Sequence, residues 1–515
     1  MKNYKKQKWF HKLLRRRLFF CFLILLQVLA LLYLIISQSL TSSVISLIFR
    51  VVSIVVAMHI ISRRHKEAYK LTWVFFILIF PVFGGLTYLF FRCQTRSKKL
   101  LKRMARARQQ TKSGWPNCSS YEKVETLAPE HMRQINYLEK YLSYPVYTNT
   151  KTEYLSPGER FLEVLLPDLE NAKKYIFLES FIIQDGEMWE SILAILKRKA
   201  ADGVDVRIIY DDMGCFLRLP RNFADEMGTF GIKCVTFNQF VPFFTAIQNY
   251  RDHRKIISID GKVAYTGGFN IADEYINKIH PFGHWKDAGV RLEGEAAWSF
   301  TLIFLQMWIF TTNEEENLFF YYPWGKIECP IEKSDSLVLP YADAPFDSEN
   351  VSEHVYLQTI YKAKKYLYIE TPYLIVDNNM ASALIMAAKS GVDVRIITPF
   401  RWDKRLVHFL TRSYYREFIR AGIKIYEYSP GFIHSKAVVC DDELAIIGTA
   451  NFDFRSLYLQ FECGVWLYKA EAVFDFRDDF LQTIPLCKEI LSEDCKCNAF
   501  VRFLQDLFRL IAPLM

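Results

Sequence analysis

Two stretches of this chain carry the same reactive side chains in the same order. "NYRDHRKIISIDGKVAYTGGFN" runs from Asn249 to Asn270, and "GFIHSKAVVCDDELAIIGTAN" from Gly431 to Asn451. Each reads His-x-Lys, four residues, Asp, six residues, Gly, two residues, Asn. The matched positions are His253 and His434, Lys255 and Lys436, Asp260 and Asp441, Gly267 and Gly448, and Asn270 and Asn451. A single His-x-Lys on a strand is common and carries little information. The full spacing, twice, marks a site.

These residue types suit chemistry at a phosphodiester. One imidazole can attack phosphorus and hold it covalently. A second imidazole on the opposite side can protonate the departing alkoxide and then deprotonate an acceptor. Two lysines and two asparagines supply charge and hydrogen bonds to the non-bridging oxygens. A carboxylate on the far nitrogen of each ring would fix its tautomer. Asp287 and Glu462 occupy matching places after the two cassettes and are the candidates for that role. Two lysines beside the histidines repel a divalent cation, so neither a metal nor a cofactor is expected. Asp260 and Asp441 lie at hairpin turns, where Asp is favoured for backbone reasons as well. Glu179 and Glu370 also match between the halves, either as cleft residues or as strand-end acids. His284 is a further candidate to line the cleft, whereas His354 and His408 read as ordinary helix residues.

The elements that must position these groups are also duplicated. "KKYIFLESFII" (Lys173–Ile183) resembles "KKYLYIETPYL" (Lys364–Leu374), and "ADGVDVRIIY" (Ala201–Tyr210) resembles "KSGVDVRIIT" (Lys389–Thr398). "DAGVRL" (Asp287–Leu292) is matched by "ECGVWL" (Glu462–Leu467). Four blocks in one order predict an internal repeat. Strand, helix and strand alternate, which predicts α/β layers. "KIISID" and "KVAYTGG" predict a hairpin with His253 at the start of its first strand, and a pseudo-twofold pairing of the halves would bring both cassettes to one cleft.

The 515 residues carry a net charge of +9, which favours anionic partners such as nucleic acid, a phospholipid surface or a phosphorylated substrate. The 11 cysteines show no CxxC pair, and "CKC" at Cys495–Cys497 is too close for zinc pairing, so reduced thiols are expected. The apolar residues concentrate at the N-terminus. Candidate membrane segments are 18–37, 44–61 and 71–91, the second holding Arg50 and His59 and the third broken by Pro81 and Gly84-Gly85. Basic clusters flank all three. Three full crossings cannot keep every cluster on the cytoplasmic side, whereas two crossings plus a bent or interfacial segment can. "QFVPFFTAIQ" (Gln239–Gln248) is either a loop dipping into a bilayer interface or one packed on the core. The tail "FVRFLQDLFRLIAPLM" has helical apolar spacing and is expected to pack on the second half. The expected organisation is membrane segments over 1–91, a basic membrane-proximal linker over 92–135, and α/β domains over 136–330 and 331–515.

With these motifs the sequence resembles the phospholipase D superfamily and, within it, the bacterial cardiolipin synthases. The supporting stretches are "WVFFILIFPVFGGLTYLFF", "NYRDHRKIISIDGKVAYTGGFNIADEY", "HWKDAGVRLEG", "ETPYL", "HSKAVVCDDELAIIGTANFDFRS" and the closing "APLM". The resemblance implies two phospholipase-D-like α/β repeats related by pseudo-twofold symmetry, preceded by N-terminal transmembrane helices. It implies a phosphatidyl group passed from one phosphatidylglycerol to another through a phosphatidyl-histidine, giving cardiolipin and glycerol. It implies that His253, Lys255, Asp260, His434, Lys436 and Asp441 are catalytic, that Asn270 and Asn451 contact phosphate, and that Glu462 and Asp287 orient the imidazoles. It places the chain in the cell membrane, multi-pass, at an anionic lipid surface, with the catalytic part cytoplasmic. Asp252 and Lys286 depart from the family pattern, where an amide and an arginine are more typical. The alternatives are a phospholipase D-type hydrolase or a phosphatidyltransferase with another donor lipid. The lipid-facing prefix and the absence of a base-stacking module count against nucleic acid.

Overall fold

The computed structural model describes residues 40–63, 66–80, 84–85, 88, 98–116, 121–239, 246–324, 329–346 and 349–514. They fall into two compact units, one of residues 1–97 with 240–248, the other of 98–239 with 249–513. In the first unit, helices α1 (Leu40–Ile61) and α2 (Glu67–Ile79) pack on each other around Val56, Ile60, Trp73, Ile77 and Tyr88. Other apolar side chains, including Leu47, Val51, Val55 and Met58, are exposed.

No helix among the described residues is long and apolar enough to cross a membrane. The expected segment 18–37 lies outside the described residues. Within the segment 71–91, α2 ends at Ile79 and Phe80 leaves helical geometry just before Pro81, and most of the residues that follow lie outside the described ones. The expected transmembrane helices are therefore not shown among the described residues. "QFVPFFTAIQ" falls mostly on 240–245, outside the described residues.

The second unit holds both repeats. It begins with α3 (Lys98–Thr111), which corrects the expected linker. Met104 and Ala107 of this basic segment are buried in a cluster with Trp298, Leu302 and Leu305, and Arg103 donates to Thr311 O at 2.6 Å, so amphipathic spacing makes it a packed helix.

The first repeat runs β1 (Thr150–Leu155), α4 (Gly158–Glu170), β2 (Tyr175–Ser180), α5 (Glu187–Ala201), β3 (Asp205–Asp211), β4 (Lys233–Phe237), β5 (Arg251–Asp252), β6 (Ile256–Ile259), β7 (Val263–Gly267), β8 (His284–Lys286) and β9 (Gly289–Gly294). After α6 (Ala297–Thr312) the second repeat runs β10 (Leu337–Asp343), α7 (Val351–Lys362), β11 (Tyr366–Glu370), β12 (Leu374–Ile375), α8 (Asn378–Lys389), β13 (Asp393–Pro399), α9 (Arg405–Arg420), β14 (Lys424–Tyr428), β15 (Gly431–Ile433), β16 (Ala437–Cys440), β17 (Leu444–Gly448), β18 (Phe452–Asp453), β19 (Gln460–Tyr468), α10 (Glu471–Thr483) and β20 (Cys487–Ile490). A last helix, α11, spans Ala499–Ile511.

The two sheets have the same plan. One is ordered β1-β9-β7-β6-β2-β3-β4, the other β10-β19-β17-β16-β11-β13-β14-β20. The first seven strands of the two orders coincide, as a duplicated unit requires, and β20 is added at the edge of the second. β2 and β11 read as near-continuous apolar runs because helices and the opposite sheet cover both faces. A single core joins the halves, with Ile256, Ala264 and Leu292 of one sheet meeting Val439, Ile447 and Val465 of the other.

Each hairpin turn is held by its aspartate. Asp260 accepts from the backbone N–H of Lys173, Lys174 and Tyr175 at 2.7–2.8 Å, and Asp441 from Lys364, Lys365 and Tyr366 at 2.6–2.9 Å. Their φ values are +53° and +58°, a region that Asp tolerates better than most residues. They sit at the far end of β6 and β16 from the histidines, so the expectation that they are catalytic is corrected: they start β2 and β11. Asp260→Ala removes three backbone partners at once and is expected to cost about 1–3 kcal/mol. A lowered thermal midpoint of the detergent-solubilised protein, with Asp260→Asn affected less, is the check.

Candidate active site

The cassettes are positioned by two short strands that cross between the repeats. β5 of the first repeat runs parallel to β19 of the second, with Gln460 opposite Arg251 and Phe461 opposite Asp252. β15 of the second runs parallel to β8 of the first, with Ile433 opposite Lys286. The next backbone amide continues each pairing: His253 N–H donates to Phe461 O at 3.0 Å, and His434 N–H to Lys286 O at 2.7 Å. His253 and Lys255 therefore lie in the three-residue link between β5 and β6, and His434 and Lys436 in the link between β15 and β16, rather than on the hairpin strands where alternation placed them.

This crossing brings each imidazole to the acid of the opposite half. His253 Nδ1 lies 2.9 and 3.0 Å from the Glu462 oxygens, and His434 Nδ1 lies 2.7 Å from Asp287 Oδ2. An Nδ1–H given to a carboxylate leaves the Nε2 lone pair for the cleft. Both acids are fully buried, while His253 and His434 keep 7% and 8% of their surface open. Aromatic rings frame the histidines: Phe181 stands 5.1 Å from His253, and Trp285 and Tyr275 stand 5.3 and 5.4 Å from His434.

The glycines make room for this packing. A Cβ on Gly267 would meet Gly289 Cα at 2.4 Å, and one on Gly448 would meet Cys463 O at 2.5 Å, so the repeated Gly lets the strands touch. A Cβ on Gly268 would fall 1.8 Å from Asp287 Oδ1. The matching residue in the second half is Thr449, whose hydroxyl donates to Glu462. The first half thus makes space for its acid, and the second gives its acid a donor.

The lysines sit beside the rings. Lys255 Nζ donates to His253 O, and Lys436 Nζ donates to His434 O and lies 2.8 Å from His434 Nδ1. Burial lowers Lys255 to about 8 and Lys436 to about 7. Burial, with the lysines close by, pushes His253 well below the ordinary imidazole range and His434 to about 3, so both resting rings are neutral. The acids differ. Burial raises Glu462 to about 7, against the pull of Lys255. Burial also opposes ionisation of Asp287, but His434 and Lys436 outweigh it and hold this carboxyl below its ordinary value.

The remaining candidates stand behind the site. Asn270 Oδ1 accepts from Ile182 N–H at 3.0 Å and its amide donates to Tyr275 OH. Asn451 donates to Asp453 at 3.1 Å, and its buried Oδ1 has no hydrogen-bond partner among the described residues. Glu179 lies 3.8 Å from Arg254, and Glu370 accepts from Ser435 Oγ, so each matched glutamate backs the middle residue of its His-x-Lys. Burial and the nearby Asp252 raise Glu179 well above its ordinary value, and burial raises Glu370 to about 7. Lys286 pairs with Asp479 at 2.6 Å. His284 bonds the Tyr428 hydroxyl at 2.9 Å and braces β8. The spacing argument missed Phe181, Tyr275, Trp285 and Thr449. Aromatics and a threonine near a cassette look like core, and only the fold shows what they touch.

A family model described as "Cardiolipin synthase, PLD-like domain" matches residues 165–284 and 356–484, and one described as "Phospholipase_D-nuclease N-terminal" matches 51–92. An uncharacterised protein of Streptococcus mutans is 40% identical over 89% of this chain and 99% of its own. Cardiolipin synthase 2 of Bacillus anthracis is 35% identical over 88% of each chain. Among solved structures, a phosphatidylserine synthase from Haemophilus influenzae shares the fold, with a TM-score of 0.56, 16% identity and coverage of 75% of this chain and 98% of that one. Twin cassettes on two matching sheets, together with relatives aligned over most of the length, make this chain a member of the cardiolipin synthase family of phospholipase-D-like proteins.

Proposed function

We propose that this protein is a cardiolipin synthase that joins two phosphatidylglycerol molecules and releases glycerol. The observation that carries the reading is the crossed pairing of His253 with Glu462 and His434 with Asp287, which makes one phosphodiester site from two halves. The alignment with cardiolipin synthases over most of the chain supports the choice of lipid. The outward apolar side chains of α1 and the match of residues 51–92 support a membrane location, with the apolar N-terminal sequence entering the bilayer and the basic clusters on its cytoplasmic side.

In this reading the two histidines have unlike tasks. Asp287 is held ionised, so it favours an imidazolium on His434 once an anionic phosphodiester enters between the lysines. Glu462 gives His253 less charge support and mainly fixes its tautomer, leaving a neutral nucleophile. The Nε2 lone pair of His253 attacks phosphorus, the P–O bond to glycerol breaks, and His434 passes its Nε2 proton to the leaving oxygen. The acceptor hydroxyl then gives its proton to His434 and attacks phosphorus, and the P–N bond breaks. Lys255 and Lys436 bind the non-bridging oxygens, while Asn270 and Asn451, whose amides are given to Tyr275 and Asp453, support the site from behind. The aromatic frame keeps water scarce, so a held alcohol competes with it.

Four outcomes are expected. Purified enzyme given phosphatidylglycerol in mixed micelles yields cardiolipin and glycerol in equal amounts; phosphatidic acid as the main product would overturn the synthase reading. With a phosphatidyl ester of p-nitrophenol, whose leaving group needs no proton, His434→Ala gives one equivalent of p-nitrophenolate and a stalled adduct on residue 253, while His253→Ala gives none. On phosphatidylglycerol itself, His434→Ala loses about 10²–10⁴ in rate. Finally, kcat/KM falls as pH rises through about 7 to 8, because Lys436 and then Lys255 lose the charge that holds the phosphate; a pH–rate profile flat across that window sinks the assignment.

A further inference from the structure

The C-terminal helix rests on the second repeat by a face of mixed polarity. In α11, Arg502, Gln505, Asp506 and Arg509 face a groove of 670 Å³ shared with α9 and the Cys495–Cys497 loop. Arg509 pairs with Glu417 at 3.3 Å and lies 4.2 Å over the Tyr414 ring, and Phe508 meets Phe409 at 6.1 Å. The opposite stripe is Phe500, Phe503, Leu504, Leu507 and Ile511, at the spacing of one helix face. Phe500 is 68% exposed and Phe503 62%, and no side chain of α11 is buried. The tail does pack on the second repeat, as its sequence suggests, with Leu504, Leu507 and Ile511 half-buried, but Phe500 and Phe503 are left outward.

The surroundings indicate what covers that face. Seven cationic side chains line the groove against three carboxylates. Among the described residues Lys389, Arg416, Arg420 and Arg502 have no ion pair. The loop leading into α9 exposes Phe400 (42%) and Trp402 (50%), and the charge of Lys404 on that loop reaches His253. Aromatic side chains on one face with unpaired cations beside them match the acyl–headgroup boundary of an anionic bilayer, where an amphipathic helix lies in the plane. Neighbouring basic groups then rest at the level of the phosphates.

We propose that α11, with the basic groove beneath it, docks the catalytic unit onto a bilayer containing anionic phospholipid. The choice of occupant rests on the lipid-substrate reading above. The docked face continues along the Phe400–Lys404 loop toward the catalytic histidines, so a substrate headgroup reaches them without leaving the surface.

The test uses the full chain with p-benzoylphenylalanine at position 503, reconstituted in vesicles of phosphatidylethanolamine and phosphatidylglycerol. Irradiation is expected to attach lipid to residue 503, more strongly than in vesicles of phosphatidylcholine alone. A crosslink to a second copy or to another segment of the same chain, or no lipid adduct, overturns the proposal. Repeating the experiment in His434→Ala separates docking from turnover, because the adduct is expected there too even though catalysis is lost. A Phe500→Glu/Phe503→Glu double variant is expected to lose roughly fivefold or more of its rate in the anionic vesicles while matching the parent in detergent micelles. Equal rates in vesicles overturn the proposal, and an unchanged thermal midpoint in detergent shows that the variant is folded.

Discussion

The site depends on a strand exchange so short that it is easily overlooked. Two residues of β5 lie along β19, and three of β15 lie along β8. Each pairing ends in an amide bond that fixes the histidine backbone to the other half, His253 to Phe461 and His434 to Lys286. One residue beyond each acceptor carbonyl stands the acid, Glu462 or Asp287. Because the register is set by the backbone, the ring and the carboxylate meet without adjustable loops. Neither repeat contains a complete histidine–acid pair of its own, so the halves must fold together before either imidazole is oriented.

The shared core makes this coupling rigid. Side chains from both sheets interdigitate around Ile256, Val439 and Val465, and the cassette links leave that core directly. Burial has an electrostatic consequence. Two ammonium groups, two imidazoles and two carboxyls in a poorly hydrated space cannot all be charged independently, and the pattern that results is neutral rings, cationic lysines of weakened basicity and carboxyls of unequal strength. An entering phosphodiester anion supplies the negative charge that this arrangement lacks. In the proposed reaction, substrate binding and the arming of the acid imidazole are then one event.

How much of this could be read from the sequence depends on the kind of information. The duplicated strands and cassettes were legible because periodicity and spacing survive in one dimension. Asp287 and Glu462 were legible as a matched pair. That each serves the histidine of the other half was not, since aligning repeats shows which residues are equivalent and says nothing about which ones touch. Asp260 and Asp441 misled for a related reason: a residue fixed in a motif by its turn geometry looks the same, in sequence, as one fixed by its chemistry. The face on which α11 packs was hidden too, because apolar spacing reveals a stripe but not whether protein or lipid will cover it.

The residual asymmetry of the duplicated site is its most informative feature. A perfect repeat would give two identical imidazoles, yet group transfer through histidine needs one ring that attacks and another that donates a proton. The differences fall on the groups that tune the rings. Gly268 clears a space for Asp287, which takes an N–H from Ala288 at 2.8 Å and stays ionised, whereas Thr449 donates to Glu462, whose longer side chain reaches its histidine with both oxygens. One acid is held close and charged, the other is buried with a neutral donor and is harder to ionise. In the proposed reaction the two rings meet at one phosphorus atom, and these small departures from symmetry give them different work.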